Sequence, residues 1–201
     1  MVVFPAAVLL SVVLLLIPVQ AADLDYYRRA AAGIKSLKAD FTQLKHLKIL
    51  AKPLVSQGCL AYRLPDRLRW EYLTPVKSLM LMQRDKVGLF QFIQGRWAVD
   101  QAGGEQMKNA LVGEIGLWLA GRFDETTGFK ASLDPGPPNQ VILIPREGLK
   151  SFISRVEITF SATPGVIEKV EIFEPAEALT RIEFTNVQVN LELDENLFEK
   201  P

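Results

Sequence analysis

The chain has 201 residues, enough for one domain with a sizeable core. Its 23 basic and 23 acidic residues balance, which argues against the charged patch of a nucleic-acid-binding protein. The single cysteine, Cys59, cannot form an internal disulfide, so the core has to hold without a staple.

Residues 1–22 carry no charged side chain and are almost wholly apolar. A bilayer-spanning helix needs roughly 20 such residues, so a secretory signal and a retained N-terminal anchor both fit the length. Pro18 breaks the apolar run, and Val19-Gln20-Ala21 supplies small residues for cleavage near Ala21 or Ala22. These features favour a signal peptide followed by one periplasmic domain over 23–201. Cys59 lies too far downstream of this segment to be a lipidation site.

Leu24, Tyr27, Ala31, Ile34, Leu37 and Phe41 recur every three or four residues and predict an amphipathic helix over 23–41. Strands are expected at 42–51, 55–63, 67–73, 77–83 and 86–93, with a short one at 96–100. Pro65-Asp66 makes a turn within Gly58–Pro75, and Asp85-Lys86 and Gln94-Gly95 mark further hairpins. Helical spacing returns in Gly103–Gly121 through Met107, Leu111, Ile115 and Trp118, weakened by Gly113 and Gly116. Strands near 128–133, 140–145, 153–161, 166–174 and 179–191 follow, separated by proline- and glycine-rich turns. The whole reads as one α+β domain, an antiparallel sheet with a helix before it and another inserted midway.

Little in the chain points to catalysis. His46 is the only imidazole, it stands in a lysine-rich strand, and no carboxylate or cysteine cluster surrounds it at metal-ligand spacing. Asp124/Glu125 and Asp194/Glu195 read as solvated loop or helix ends, and Gly103-Gly104 lacks the continuation of a phosphate loop. No cofactor and no enzyme activity are expected. The anomaly lies in the middle strands. Leu79-Met80-Leu81-Met82 is apolar on both faces, and Val87–Ile93 places Phe90 and Phe92 opposite Val87, Leu89 and Ile93. Both faces of that sheet therefore need cover, which an apolar ligand or closure into a filled barrel would provide. Met80, Met82 and Met107 suit a surface that accepts variable apolar ligands, and equally an ordinary core.

Several segments, in order, resemble the periplasmic outer-membrane lipoprotein carrier family (LolA-type). These are Phe41-Thr42-Gln43; Gly58-Cys59-Leu60 leading to Pro65, with Trp70 five residues on; Thr74-Pro75 followed by Leu79 and Leu81; Asp85-Lys86-Val87 with Leu89–Phe92; Asn109–Gly121; and Asp194–Phe198. The resemblance implies an incomplete antiparallel β-barrel with a helical lid over an apolar cavity for lipoprotein acyl chains. It also implies an inner-membrane release complex and an outer-membrane receptor as partners, and a monomeric protein. Face parity and this resemblance together nominate Trp70, Tyr72, Leu79, Leu81, Phe90, Phe92, Leu111, Ile115 and Trp118 as lipid-binding. The chain departs from the family pattern at Leu64, where an arginine that latches the lid is expected. Arg63 projects from the opposite face, so Arg67, Arg69 or apolar contacts would have to hold the lid. A carrier of a glycolipid or polyene product, and a ligand-sensing regulator of the anti-sigma-factor kind, are the alternatives on the same fold.

Overall fold

The computed structural model describes residues 24–84, 86–100, 114–123, 128–133, 139–199 and 201. The expected signal peptide, Leu111 and Met107 lie outside these residues. An α-helix, α1 (Leu24–Ala32), precedes a single antiparallel sheet. Its first six strands are β1 (Ser36–His46), β2 (Leu54–Arg63), β3 (Arg67–Thr74), β4 (Ser78–Gln83), β5 (Lys86–Ile93) and β6 (Arg96–Val99). A helical segment at 114–119 intervenes. Then come β7 (Phe129–Leu133), β8 (Gln140–Pro145), β9 (Arg155–Phe160), β10 (Ile167–Glu174), β11 (Ala178–Val189) and a 3₁₀ turn, η1 (Glu195–Phe198).

The spatial order is β6-β5-β4-β3-β2-β1-β11-β10-β9-β8-β7. Each half of the chain is a meander, and β1 joins β11 where the two halves meet. The edge strands β6 and β7 do not pair with each other, so the curved sheet is an unclosed barrel. Irregularities at Lys38/Asp40, Gln57/Gly58 and Ile167/Lys169 bend it, as bulges do.

The helix expected over 23–41 ends at Ala32, and Ile34–Phe41 instead enters β1. Leu37 and Phe41 are four residues apart, a spacing that shares a face in a helix and also in a strand. Lys38, Asp40 and Thr42 complete the two-residue alternation. Gly33, bonded through its N–H to the Ala30 carbonyl, marks the change from one period to the other.

Register aligns Trp70 with Met80 and Met80 with Leu89, and it aligns Leu60 with Trp70. These side chains, with Phe41, Leu68, Ile172 and Ile182, line the concave face. Tyr27 of α1 stacks on Phe160 (4.2 Å between ring centroids), which plugs one end of the barrel. Leu79 and Leu81 lie on the other face, also buried. They are covered there by η1, which packs on β3 and β4 with Phe198 almost wholly enclosed. The second apolar face of the middle strands is therefore roofed in part by the C-terminal segment.

Candidate lipid-binding cavity

The concave wall is assembled around a glycine. At Gly58 a Cβ would sit 2.1 Å from the Glu71 carbonyl oxygen and 2.5 Å from the Phe41 ring. Its absence lets Phe41 lie flat on β2 and meet Trp70 and Tyr72 at 4.6 and 5.1 Å between centroids. Phe184 closes on Trp70 from β11 at 6.0 Å. The result is an aromatic floor contributed by β3, β1 and β11, with Gly58 of the intervening β2 beneath it.

Beyond that floor opens a cavity of about 440 Å³, within the size range of small-molecule sites. Its apolar lining comes from Trp70, Met80, Leu89, Ile115, Ile172 and Ile182, with Leu149, Phe152 and Ile153 from the loop after β8. The helical segment crosses the concave face here. Ile115 faces the cavity, Trp118 packs edge-on to Phe129 at 5.7 Å, and the Gly128 N–H donates to Glu114 Oε1 at 3.3 Å.

Toward the open end the lining turns polar. The Tyr72 hydroxyl donates to Gln43 Oε1 at 2.8 Å, and burial pushes the Tyr72 phenol up from its ordinary pKa. Glu174 accepts from Thr180 Oγ1 at 2.7 Å and pairs with Lys45 Nζ at 3.3 Å. An apolar floor under a polar mouth suits an amphiphile with its chain inside and its headgroup at the rim.

The structure divides the nine residues expected from the sequence. Trp70, Tyr72 and Ile115 line the cavity, while Trp118 borders a small void next to it with Ile115 and Trp70. Leu79, Leu81, Phe90 and Phe92 belong to the opposite face, because Leu79 pairs with Glu71 and Phe90 while Met80 pairs with Trp70 and Leu89. Leu79 and Phe90 border the cavity, but as strand positions whose side chains alternate away from Met80 and Leu89. Leu111 is outside the described residues. Sequence reasoning missed Gln43, Lys45, Leu89, Ile172, Glu174, Thr180 and Ile182, and left Met80 open between a ligand surface and an ordinary core. A two-residue period read from Leu37 onward would have placed Gln43 and Lys45 on the face of Phe41.

The arginines near Leu64 also have an address. Arg63 donates to Glu195 at 2.8 Å and to the Leu193 carbonyl at 3.2 Å, and its guanidinium lies 5.4 Å from the Phe198 ring. Arg67 donates to Glu195 at 2.8 Å, and Arg69 to the Leu197 carbonyl at 3.1 Å. Hydrogen bonds from Arg63 and Arg67 hold the Glu195 carboxyl below its ordinary pKa. Of the alternatives for holding the lid, Arg67, Arg69 or apolar contacts, the two arginines are ruled out. Both sit on the convex face and clamp η1, while Leu64 packs against the core.

One curved, unclosed antiparallel sheet wrapped round an apolar hollow, with a helical segment across its concave face, places the chain in the class of hollow, half-open β proteins. The chain matches the family described as "Outer membrane lipoprotein carrier protein LolA" over residues 32–200, and it belongs to that family. The outer-membrane lipoprotein carrier protein of Pseudoalteromonas translucida is 23% identical over 182 residues, covering 90% of this chain and 84% of that protein. The protein of the same description from Dechloromonas aromatica is 25% identical over 173 residues, covering 85% and 79%. A LolA superfamily protein from Nitrosomonas europaea superposes with a TM-score of 0.44 at 9% identity, covering 89% of this chain and 98% of that one.

Proposed function

We propose that the protein is a periplasmic carrier that shields lipoprotein acyl chains in this cavity and moves them from the inner to the outer membrane. The observation that carries the reading is the 440 Å³ hollow, apolar at its floor and polar at its rim, in a chain of the lipoprotein carrier family. Shielding an acyl chain is worth about 0.8 kcal/mol per methylene, so even partial enclosure makes transit through water feasible. In this reading residues 1–22 are the export signal, 23–201 form one monomeric carrier domain, an inner-membrane complex loads it, and an outer-membrane receptor empties it.

The test is extraction of protein purified from its own cells without detergent, followed by mass spectrometry. Bound diacylglyceryl-cysteine peptides are expected, together with release of lipoprotein from inner-membrane vesicles on adding the protein. An empty cavity combined with no release would refute the proposal, and a bound glycolipid or polyene would redirect it to that cargo.

A further inference from the structure

Five connections gather at one end of the sheet: the loops between β1 and β2, β3 and β4, β5 and β6, β8 and β9, and β10 and β11. The antiparallel register requires this, since His46 pairs with Leu179, Phe173 with Arg155, and Ser78 with both Tyr72 and Gln91. The opposite end carries α1 as a plug, so this end is the open one. The polar mouth of the cavity, Gln43, Lys45, Glu174 and Thr180, lies just inside it.

Most of the large apolar side chains that the described residues expose lie on these loops and the strand ends beside them. Ile49 is 88% exposed at the tip of the β1–β2 loop, with Leu50 and Leu54 beside it. Leu73 at the end of β3, and Val76 and Phe152 on neighbouring loops, are exposed as well. Such side chains at a loop tip gain nothing in water, and a patch of them marks an interaction surface. Basic residues surround them. Lys45, Lys48, Lys52, Lys77, Arg96 and Lys150 stand on this end; Lys45, Lys48, Lys77 and Lys150 pair with Glu174, Glu177, Glu71 and Glu147, so these six bases face four acids and a modest positive surplus remains in a chain whose formal charge is zero.

We propose that this open end docks on an anionic lipid bilayer, inserting Ile49 and Leu50 between headgroups and resting its lysines on the phosphates. The charge surplus selects a bilayer as the occupant: apolar tips ringed by lysine stems match the acyl boundary and the anionic headgroup layer in depth order. The same contact places the cavity mouth against the membrane, so that on the carrier reading of the preceding section, on which this consequence rests, cargo passes between cavity and bilayer without crossing open water.

The experiment labels the full chain with a polarity-sensitive nitrobenzoxadiazole dye at Ile49→Cys in a Cys59→Ser background. Val99→Cys in the same background is the control, being exposed on the edge strand away from the tip. Vesicles are phosphatidylcholine alone or with one quarter phosphatidylglycerol. The dye at 49 is expected to blue-shift on the anionic vesicles, less so in 0.5 M salt, while the dye at 99 does not respond. Lys48→Gln with Lys52→Gln is expected to weaken vesicle affinity about thirtyfold, from roughly 1 kcal/mol per lysine at a charged surface. No shift at 49, equal shifts at both sites, or a tip-dependent dimer without vesicles would overturn the proposal. Because the dye reads docking with or without cargo, an empty cavity in a protein that still docks would refute the carrier reading alone.

Discussion

Leu89→Asp and Phe92→Asp place the same charge three residues apart on β5, one on each face of the sheet. Leu89 is half-buried, aligned with Met80, and lines the cavity. Phe92 is 40% exposed on the convex side, edge-on to Trp97 at 5.3 Å with Lys77 Nζ 4.9 Å from its ring centroid. A carboxylate at 89 keeps water against the wall and denies contact to about three methylenes of a bound chain. At about 0.8 kcal/mol each this removes roughly 2–2.5 kcal/mol, or a 30- to 60-fold loss of affinity. Covering that carboxylate with a chain raises its pKa, so the protonated form binds better and the deficit should shrink as pH falls toward the carboxylate range. Phe92→Asp should leave affinity within about twofold and lower stability by at most about 1 kcal/mol, since its ring is already wet. Displacement of a fluorescent polyene fatty acid by palmitate gives the affinities, and thermal melts of the same samples give the stabilities. A tenfold or larger loss in Phe92→Asp with Leu89→Asp unaffected would refute the assignment of faces.

Gly165 sits at φ +79°, and a Cβ there would lie 2.5 Å from the Ala31 nitrogen, so Gly165→Ala should push α1 off its seat. A loss above about 2 kcal/mol, or roughly 4–8 °C in melting temperature, is expected by calorimetry. Glu171 is buried between Lys169 at 2.7 Å and Arg181 at 2.9 Å. Burial alone would raise its pKa, but hydrogen bonds from the two cations outweigh burial and hold it below the ordinary 4.5. A depressed folded pKa gives stability that is present above the ordinary value and lost as pH falls through the folded one. Glu171→Gln should therefore cost about 1–2 kcal/mol in urea melts at pH 7, with the gap to wild type closing in acid below pH 4.

The strands were legible because their turns are chemically marked and their apolar positions alternate. Predicted 55–63, 67–73, 77–83 and 86–93 differ from β2–β5 by about one residue at their ends. The assignment of faces across strands was not legible. Alternation separates Phe90 and Phe92 from Leu89 within one strand, but which set joins Trp70 depends on the pairing register. The loop lengths after Thr74 and Gln83 set that register. A single-residue change in either would exchange the two sets. Nor could composition tell what covers an apolar face. Leu79 and Leu81 called for a ligand or closure of the barrel on sequence grounds, yet Leu197 and Phe198, more than 100 residues away, supply part of the cover. The Asp194–Phe198 motif was visible, but the arginines that hold it were read as candidates for the other side of the sheet.

That reassignment bears on how tightly cargo can be held. The hold on the helical segment includes burial: Trp118 and Leu119 are almost wholly enclosed, and Ile115 spans the cavity and the void beside it. An acyl chain entering the cavity meets Ile172 and Ile182, which also border that void. Where a chain on those residues displaced the segment, apolar contact would be exchanged for apolar contact. Such an exchange has a small net free energy, because the methylene burial gained by the chain is offset by the burial the segment gives up. On the carrier reading, such an exchange would keep the hold on cargo moderate.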